Sequence, residues 1–181
     1  MTTIYLIRHG EPDTSVHDDW TRPLTKLGQQ QAIEVAGKFE NVTFTAIYSS
    51  PFTRAVATVT PLSRQQNLAI QTSNSLIERR MPEWFSNAKA FREYIQRQWQ
   101  DFTYTAKGGE SLAEAQTRYL AFLKKIPESG TVAIGTHGTV MSVVYDSLHH
   151  GQGFSAWQNL PYAAILRLKV TKKHLIAADF I

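Results

Sequence analysis

Residues 4–11 read Ile-Tyr-Leu-Ile-Arg-His-Gly-Glu, and this stretch decides the fold that we expect. Its apolar part is typical of a buried strand, which we place over residues 2–8, and it stops abruptly at Arg8, His9 and Gly10. In sheets of parallel strands, ligands bind at the carboxyl ends of the strands. A guanidinium and an imidazole at such an end are therefore candidate ligand-binding groups.

Strand-like and helix-like segments alternate along the remaining chain. Further strands are predicted from short apolar runs at residues 44–49, 68–72, 131–135, 163–170 and 175–181. Helices are predicted to begin at Thr25 as an N-cap, at Pro51, at Glu110 or Ser111, and at residue 138. A turn near Lys172-Lys173 joins the last two strands. The alternation predicts an α/β fold, a three-layer α/β/α sandwich with a mostly parallel mixed central sheet, in one domain over residues 1–181.

The segment 73–107 does not fit this alternation. It contains Met81-Pro82 and then a polar, aromatic-rich stretch with a helical pattern to about residue 102, before Gly108-Gly109 breaks the helix. We interpret it as a lid or specificity insertion within the single domain.

Composition excludes several classes of protein. The chain has no cysteine, which excludes disulfides and thiolate chemistry and agrees with a cytoplasmic location. No signal peptide is recognised, and no apolar run approaches the roughly 20 residues that span a bilayer, so we expect no membrane association. The net charge of +4 is not arranged in basic stripes with aromatic partners. This favours a small anionic substrate over nucleic acid.

Three further motifs follow predicted strands and are expected to converge on Arg8 and His9. They are Ser-Ser-Pro-Phe-Thr-Arg-Ala at 49–55, Leu-Ile-Glu-Arg at 76–79, and Gly-Thr-His-Gly at 135–138. Each brings one group that phosphate chemistry uses: Arg54, Glu78 and His137. The four motifs therefore predict one pocket at the carboxyl edge of the sheet.

These groups suit the transfer of a phosphoryl group. His9 can act as the nucleophile if one ring nitrogen keeps its lone pair while the other donates to a carbonyl or carboxylate. Arg8 and Arg54 present planar forks for phosphate oxygens, and His137 adds a donor that is strongest when protonated. Gly10 is expected to let the backbone and the phosphate approach closely.

A carboxylic acid is also needed to protonate the leaving alkoxide. Glu78 is our choice, and Glu83 is its competitor five residues further on. Arg79 and Arg80 either bind a second anionic group of the substrate or form a plain solvated pair. His9 and His137 have no neighbouring metal ligands in the sequence, so we expect no metal site.

The ordered set of motifs resembles the histidine phosphatase superfamily, the phosphoglycerate mutase-like proteins, and within it the small phosphatases. The resemblance rests on Arg-His-Gly-Glu at 8–11, Leu-Thr-Lys-Leu-Gly-Gln-Gln-Gln-Ala at 24–32, Tyr-Ser-Ser-Pro at 48–51 with Arg54, Ala55 and Thr58, Gly-Gly-Glu-Ser at 108–111 with Arg118, and Thr-His-Gly at 136–138. It implies a phosphoglycerate mutase-like fold and a phosphohistidine intermediate on His9.

The resemblance also implies roles for the other motif residues. Arg8, Arg54 and His137 would contact the phosphate, and Glu78 would donate the proton. Glu11 and residues 109–111 would shape the pocket, and Glu11 is a candidate substrate-binding residue. No metal and no organic cofactor are implied.

One departure from the family pattern concerns the rim of the pocket and the leaving group, and a second favours a phosphatase, of the histidine acid phosphatase type, over a mutase. Residues 79–84 read Arg-Arg-Met-Pro-Glu-Trp where many relatives carry Gly and then Trp-Glu-Gly. Residues 12–15 read Pro-Asp-Thr-Ser where the mutases have Asn and Trp, and the chain lacks their longer insertion. The alternatives are a phosphoglycerate mutase-type phosphotransferase, a phosphatase of phosphohistidine in proteins, and a catalytically silent phosphate-binding or interaction domain. The substrate and the oligomeric state stay open.

Overall fold

The computed structural model describes residues 1–172 and 174–181, and its centre is one mixed sheet. The described strands are β1 (Thr2–Arg8), β2 (Ala46–Ser49), β3 (Ile70–Thr72), β4 (Thr131–Thr136), β5 (Ile165–Thr171) and β6 (His174–Phe180). They lie in the order β3-β2-β4-β1-β5-β6. The first four in this order run parallel, β5 is antiparallel to β1, and β6 is antiparallel to β5. The predicted mostly parallel mixed sheet is confirmed.

Helices cover both faces of this sheet. The described helices are α1 (Lys26–Gly37), α2 (Thr53–Gln66), α3 (Ala88–Gln100), α4 (Leu112–Leu123), α5 (Gly138–Asp146) and α6 (Gly153–Asn159), with a 3₁₀ turn at Asn74–Leu76. Thr25 caps α1, since its hydroxyl accepts from Gly28 N at 3.0 Å. Ser111, not Glu110, caps α4, and it forms a reciprocal capping box with Glu114. None of the helices in the described part of the chain is long and apolar enough to cross a membrane.

Two apolar clusters, one on each face of the sheet, pack helices against it and so give the fold its three layers. Along β1, Ile4 and Leu6 face one cluster with α4 and α5, while Tyr5 and Ile7 face the other with α1 and α2. This alternation follows from the two-residue period of a strand. Because β1 and β4 are buried on both faces, their sequences read as continuous apolar runs, which is why the sequence predicts them well.

Several predicted boundaries differ from the structure for local reasons. β2 begins at residue 46 and β3 at residue 70, because Phe44 N donates to Gln66 Oε1 and Leu68 N closes the end of α2. The helix predicted from Pro51 begins at Thr53. The helical pattern predicted within 73–107 is α3, and no element was predicted for α6, in which only Gly153 is buried. Lys172 lies in the predicted turn, and Lys173 lies outside the described residues.

Candidate active site

Strand register brings two histidines together at the carboxyl edge of the sheet. Arg8 at the end of β1 pairs with Thr136 at the end of β4, and the next residues are His9 and His137. Their ring centroids lie 5.3 Å apart, and both side chains are buried. His9 N also donates to Thr136 O at 2.9 Å, so the backbone itself fixes the pair.

The surroundings of His9 select its tautomer and its charge. Nδ1–H donates to the carbonyl of Gly10 at 2.8 Å, which leaves the lone pair on Nε2. Burial, followed by the charge of Arg54, lowers the pKa of His9 to about 3. The imidazole is therefore neutral near pH 7. Its Nδ1–H donates to a carbonyl, which keeps the lone pair on Nε2 available for nucleophilic attack.

Gly10 makes a close packing contact that the sequence did not predict. A Cβ on Gly10 would lie 2.5 Å from the carbonyl oxygen of Gly28, and a Cβ on Gly28 would lie 2.2 Å from that of Glu11. The two motif glycines therefore allow the loop after β1 to pack directly against the first turn of α1. This packing requires a glycine at position 10.

Two arginines flank His9, and other groups hold each of them. Arg54, in the first turn of α2, donates to the backbone oxygen of Asp19 at 2.7 Å and to its carboxylate at 3.2 Å. Arg8 donates through Nη1 to the carbonyl of Leu160, and its guanidinium lies 4.6 Å from the ring centroid of Tyr162. These contacts pre-orient both guanidiniums beside His9.

Fully buried, His137 is the N-cap residue of α5. Neither of its ring nitrogens has a hydrogen-bond partner among the described residues. Burial, followed by the charges of Arg54 and His9, lowers its pKa well below the ordinary value. In the free protein His137 is thus neutral and offers one N–H, not the full cation that would make the strongest donor.

The carboxylate of Glu78 lies at the N-terminus of α5. It accepts from the backbone N–H of Arg79 at 2.7 Å, of Thr139 at 2.9 Å and of Val140 at 3.2 Å. Helix N-termini attract negative charge, so α5 holds this carboxylate at the strand ends. Glu83 lines the same cleft, but its side chain is exposed on the rim.

A partly buried ion pair supports the segment that carries Glu78. Glu110 accepts from Arg118 at 2.9 and 2.8 Å, and its Oε2 also accepts from Arg80 N at 3.1 Å. Arg118 in turn donates to the carbonyls of Ser75 and Ile77, at 2.8 and 3.1 Å. This network explains the Gly-Glu-Ser motif and Arg118, because together they fix the backbone on both sides of Glu78.

A cleft of about 570 Å³ gathers most of the candidate residues. Its lining includes Arg8, His9, Arg54, Glu78, Glu83 and Arg79. Three candidates do not line the cleft, and one of them, His137, is fully buried beside His9. The carboxylate of Glu11 accepts from the Thr25 hydroxyl at 2.9 Å and so fastens the start of α1, while Arg80 is exposed. Neither of these two side chains is placed to line the cleft.

The loop between β1 and α1 supplies cleft residues, and of these the sequence reasoning missed Asp19 and Arg22. His17, Asp19 and Arg22 line the cleft, because backbone pairing of Asp13 with Pro23 folds the loop back over the strand ends. Arg22 is held by the carbonyls of Val16 and His17 and by the Asp19 carboxylate. The only local signal is a run of polar residues, which does not reveal where a loop lies.

The arrangement contains what phosphoryl transfer to an imidazole requires. A neutral nitrogen with a free lone pair lies among two guanidiniums, a second imidazole and a carboxylate. Among the described residues, no group of three or more His, Asp or Glu side chains could hold a metal ion. The class defined by this fold and site is an α/β protein with paired histidines at parallel strand ends.

Comparison with known families identifies that class. Residues 4–178 match the family described as "Histidine phosphatase superfamily (branch 1)". The match covers nearly the whole chain, and the protein belongs to this family. The resemblance found in the sequence motifs is thereby confirmed.

Individual relatives are distant and carry different names. Phosphoserine phosphatase 1 of Hydrogenobacter thermophilus is 25% identical over 163 residues, which cover 82% of this chain and 76% of that protein. The probable phosphoglycerate mutase GpmB of Salmonella choleraesuis is 24% identical over 172 residues, which cover 87% and 78%. A mycobacterial glucosyl-3-phosphoglycerate phosphatase solved with VO3 superposes with a TM-score of 0.80 at 19% identity, over 98% of this chain and 96% of that one. The last likeness concerns the fold alone.

Proposed function

We propose that this protein is a phosphomonoesterase that works through a phosphohistidine on His9. One observation carries the proposal most directly. The lone pair of His9 Nε2 is free on a neutral, buried imidazole, while Arg8 and Arg54 are fixed beside it. A phosphoryl group needs this combination of an in-line nucleophile and fixed positive donors around its equatorial oxygens.

In the first step, His9 Nε2 attacks phosphorus and the bond to the ester oxygen breaks. Glu78 gives its proton to the departing oxygen, so an alcohol leaves and a phosphohistidine forms. Arg8, Arg54 and His137 hold the phosphoryl oxygens during the transfer.

In the second step, water attacks the phosphohistidine from the side that the alcohol left. Glu78, now ionised, takes a proton from the water, the bond from phosphorus to His9 Nε2 breaks, and inorganic phosphate leaves. Glu78 ends the cycle protonated and His9 ends it neutral. The network around Glu110 and Arg118 keeps Glu78 in place for both steps.

A phosphoglycerate mutase-type phosphotransferase is the second candidate, because one of the matched relatives carries that name. The two activities share the first step. They differ in whether the phosphohistidine passes its phosphoryl group to water or to a phosphoglycerate. We favour water, because residues 12–15 depart from the pattern of the mutases and the chain lacks their longer insertion.

Several finer properties belong to the same proposal. We propose that the enzyme is a metal-independent phosphatase of the histidine acid phosphatase type, that it acts on a small phosphorylated substrate and that it is cytoplasmic. The segment 73–107 acts as its specificity insertion, since Met81, Trp84 and Phe91 of that segment line the cleft. We predict that it binds neither nucleic acid nor membranes.

Hydrolysis of 4-nitrophenyl phosphate by the wild type and by His9→Ala, each with EDTA present, tests the proposal. We expect turnover by the wild type that ignores EDTA and is absent from His9→Ala. Wild-type turnover lost to EDTA would overturn metal independence, and equal turnover by both proteins would overturn the role of His9. Tight phosphate binding by a wild type that hydrolyses no phosphomonoester would instead indicate the silent binding domain.

A further inference from the structure

A second cavity lies next to the catalytic groups and is separate from the cleft. Its volume is about 710 Å³, against about 570 Å³ for the cleft, and the two share no lining residue. Its walls come from α1, α6, residues 160–165 and the end of β6. Cavities of several hundred cubic ångströms, with apolar walls and a few polar groups, typically bind small molecules.

Aromatic and aliphatic side chains form most of these walls. The aromatic ones are Tyr145, Tyr162 and Phe180, and the aliphatic ones include Val35, Leu160 and Ile165. Hydrogen-bonding groups are added by the side-chain amides of Gln31, Gln152 and Asn159. Rings offer flat faces for another ring, and amides offer both donors and acceptors. The lining therefore suits a ring-containing molecule with polar atoms at its edge.

The charges of the two cavities differ. Among the described residues, the cleft is lined by four arginines and three carboxylates, which suits a phosphate. The second cavity has only two charged side chains in its described lining, Glu34 and Lys38, and they have opposite signs. Taking a net charge out of water is costly unless an opposite charge compensates it. The ligand of this cavity is thus expected to be uncharged.

Residues 160–163 line the cavity and also hold the catalytic groups. The carbonyl of Leu160 accepts from Arg8, and the Tyr162 ring centroid lies 4.6 Å from Cζ of Arg8 and 5.9 Å from the ring centroid of His9. The N–H of Ala163 donates to the carbonyl of His9 at 3.1 Å. Whatever restrains or displaces this segment from the cavity side therefore acts on Arg8 and His9.

Two features make the segment responsive to its neighbours. Ala163 has a φ of 58°, in the left-handed region that a residue with a Cβ keeps only when its surroundings hold it there. Tyr162 is 37% exposed, although it contacts Arg8 on one side. A ligand packed on the rest of the ring would hold Tyr162 against Arg8 and reduce the freedom of both.

We propose that this cavity is a second binding site, which takes an uncharged ring-containing molecule and strengthens phosphate binding in the cleft through Tyr162 and Arg8. Coupling between two sites is reciprocal, so phosphate in the cleft must strengthen binding in the cavity by the same factor. The inference does not depend on hydrolysis, because both sides of the coupling are binding events.

The test uses indole-3-acetamide and indole-3-acetate, which have the same ring system and differ in charge. Calorimetry should give a Kd of about 1 mM or tighter for the amide and binding at least about tenfold weaker for the carboxylate. Absence of amide binding, or equal binding of the two probes, would overturn the proposal.

Two tryptophan variants show whether the probe lies in this cavity. Ala156 lines it, so Ala156→Trp fills the space and should weaken amide binding by about tenfold or more. Ala121→Trp is the matched control, since Ala121 is exposed on α4 and is not part of the lining, and it should bind as the wild type does. If Ala156→Trp does not fold, Ser155→Trp fills the cavity from an exposed position. Amide binding that neither filled variant weakens would place the probe elsewhere.

Reciprocity tests the connection to the cleft. The Kd of inorganic phosphate is measured with and without saturating amide, and the Kd of the amide with and without saturating phosphate. We expect both to fall by the same factor, about fivefold, in the wild type and by less than about twofold in Tyr162→Ala. Amide binding that leaves the phosphate Kd unchanged, or that competes with phosphate, would overturn the coupling. A protein that shows the coupling without hydrolysing 4-nitrophenyl phosphate would keep this inference and lose the proposed function.

Discussion

The floor of the cleft, built around Arg8, His9, Arg54, Glu78 and His137 at the strand ends, differs in construction from its rim. The rim is formed by residues of connecting segments, such as His17, Asp19, Arg22, Glu83 and Trp84. On the floor, His9 and His137 follow the paired strands β1 and β4. They lie side by side because the residues before them, Arg8 and Thr136, are partners in the strand register. On the rim, Trp84 stacks on His17 at 4.2 Å, and both residues belong to connecting segments. The sheet thus fixes the reacting groups, while segments that can vary without disturbing the sheet surround the rest of the substrate.

This contrast separates two kinds of expected effect. Changes on the floor should reduce kcat for every phosphomonoester, because the phosphoryl group is common to all of them. Changes on the rim should act on selected substrates and mainly through KM. The predictions below test that separation from the largest effect to the smallest.

Exchange of Glu78 for Gln should give the largest effect of these. An amide cannot donate the proton, so we expect kcat for an alkyl phosphate to fall by about 100- to 10,000-fold. The fall should be smaller for 4-nitrophenyl phosphate, whose leaving group departs as a stable anion. Glu83→Gln is the matched control, with kcat within about threefold of the wild type. A larger fall in Glu83→Gln than in Glu78→Gln would assign the proton donor to the rim.

Exchange of Arg54 for Lys should give the second largest effect. The charge remains, but the fork that contacts Asp19 and the phosphoryl oxygens is lost, so kcat/KM should fall by about 100-fold. Arg64→Lys makes the same exchange at an exposed position in the last turn of the same helix and should leave kcat/KM unchanged. Full activity of Arg54→Lys would show that charge alone suffices on the floor.

The loss of protein stability in acid should also depend on a histidine of the floor and not on one of the rim. The unfolded chain protonates His9 below about pH 6.5, whereas the folded protein resists protonation down to a pKa of about 3, so stability falls with pH between these values. Between pH 7.5 and 4.5, His9 should contribute a loss of about 2–3 kcal/mol in the free energy of unfolding. Urea unfolding of His9→Gln should show a correspondingly smaller loss than the wild type.

His17→Gln is the control for that measurement, because His17 is exposed on the rim. Its stability should follow the wild-type pH dependence. An unchanged pH dependence in His9→Gln would mean that the buried imidazole is not held neutral by its surroundings.

Exchange of Trp84 for Ala should give the smallest effect. Trp84 is 49% exposed, so stability should change by less than about 1 kcal/mol. We expect KM to rise about two- to fivefold with kcat unchanged, because the ring contributes contact area away from the reacting atoms. Ile33→Ala, at a similarly exposed position outside the cleft, should leave both constants unchanged. A fall in kcat with constant KM would place Trp84 in the chemical step.

The residues of the floor could be predicted from the sequence because short sequence segments determine where they lie. Continuous apolar runs identify β1 and β4, and the rule for parallel sheets then brings Arg8, His9 and His137 to one edge. Arg54 and Glu78 were also placed there, since each follows a strand within a few residues. The close contact of Gly10 with Gly28 was not predicted, because it depends on how the loop returns to α1.

The rim could not be predicted, because its information is long-range. Asp19 and Arg22 reach the cleft only through pairing across their loop, which leaves no periodic signal. Arg79 and Arg80 are identical in sequence terms, yet the anchoring of residues 75–80 by Glu110 and Arg118 buries one and exposes the other. Helix α6 buries little apolar surface, so it shows no amphipathic pattern.

The central claim is that His9 carries the phosphoryl group, and trapping that intermediate tests it most directly. The wild type and His9→Ala are mixed with 4-nitrophenyl phosphate, quenched in alkali during turnover, digested and analysed by mass spectrometry. The account predicts a phosphate that is stable in alkali and lost in acid, on the wild-type peptide containing His9, and none in the variant. Steady turnover without a phosphorylated peptide, or the same phosphopeptide yield from His9→Ala, would contradict it.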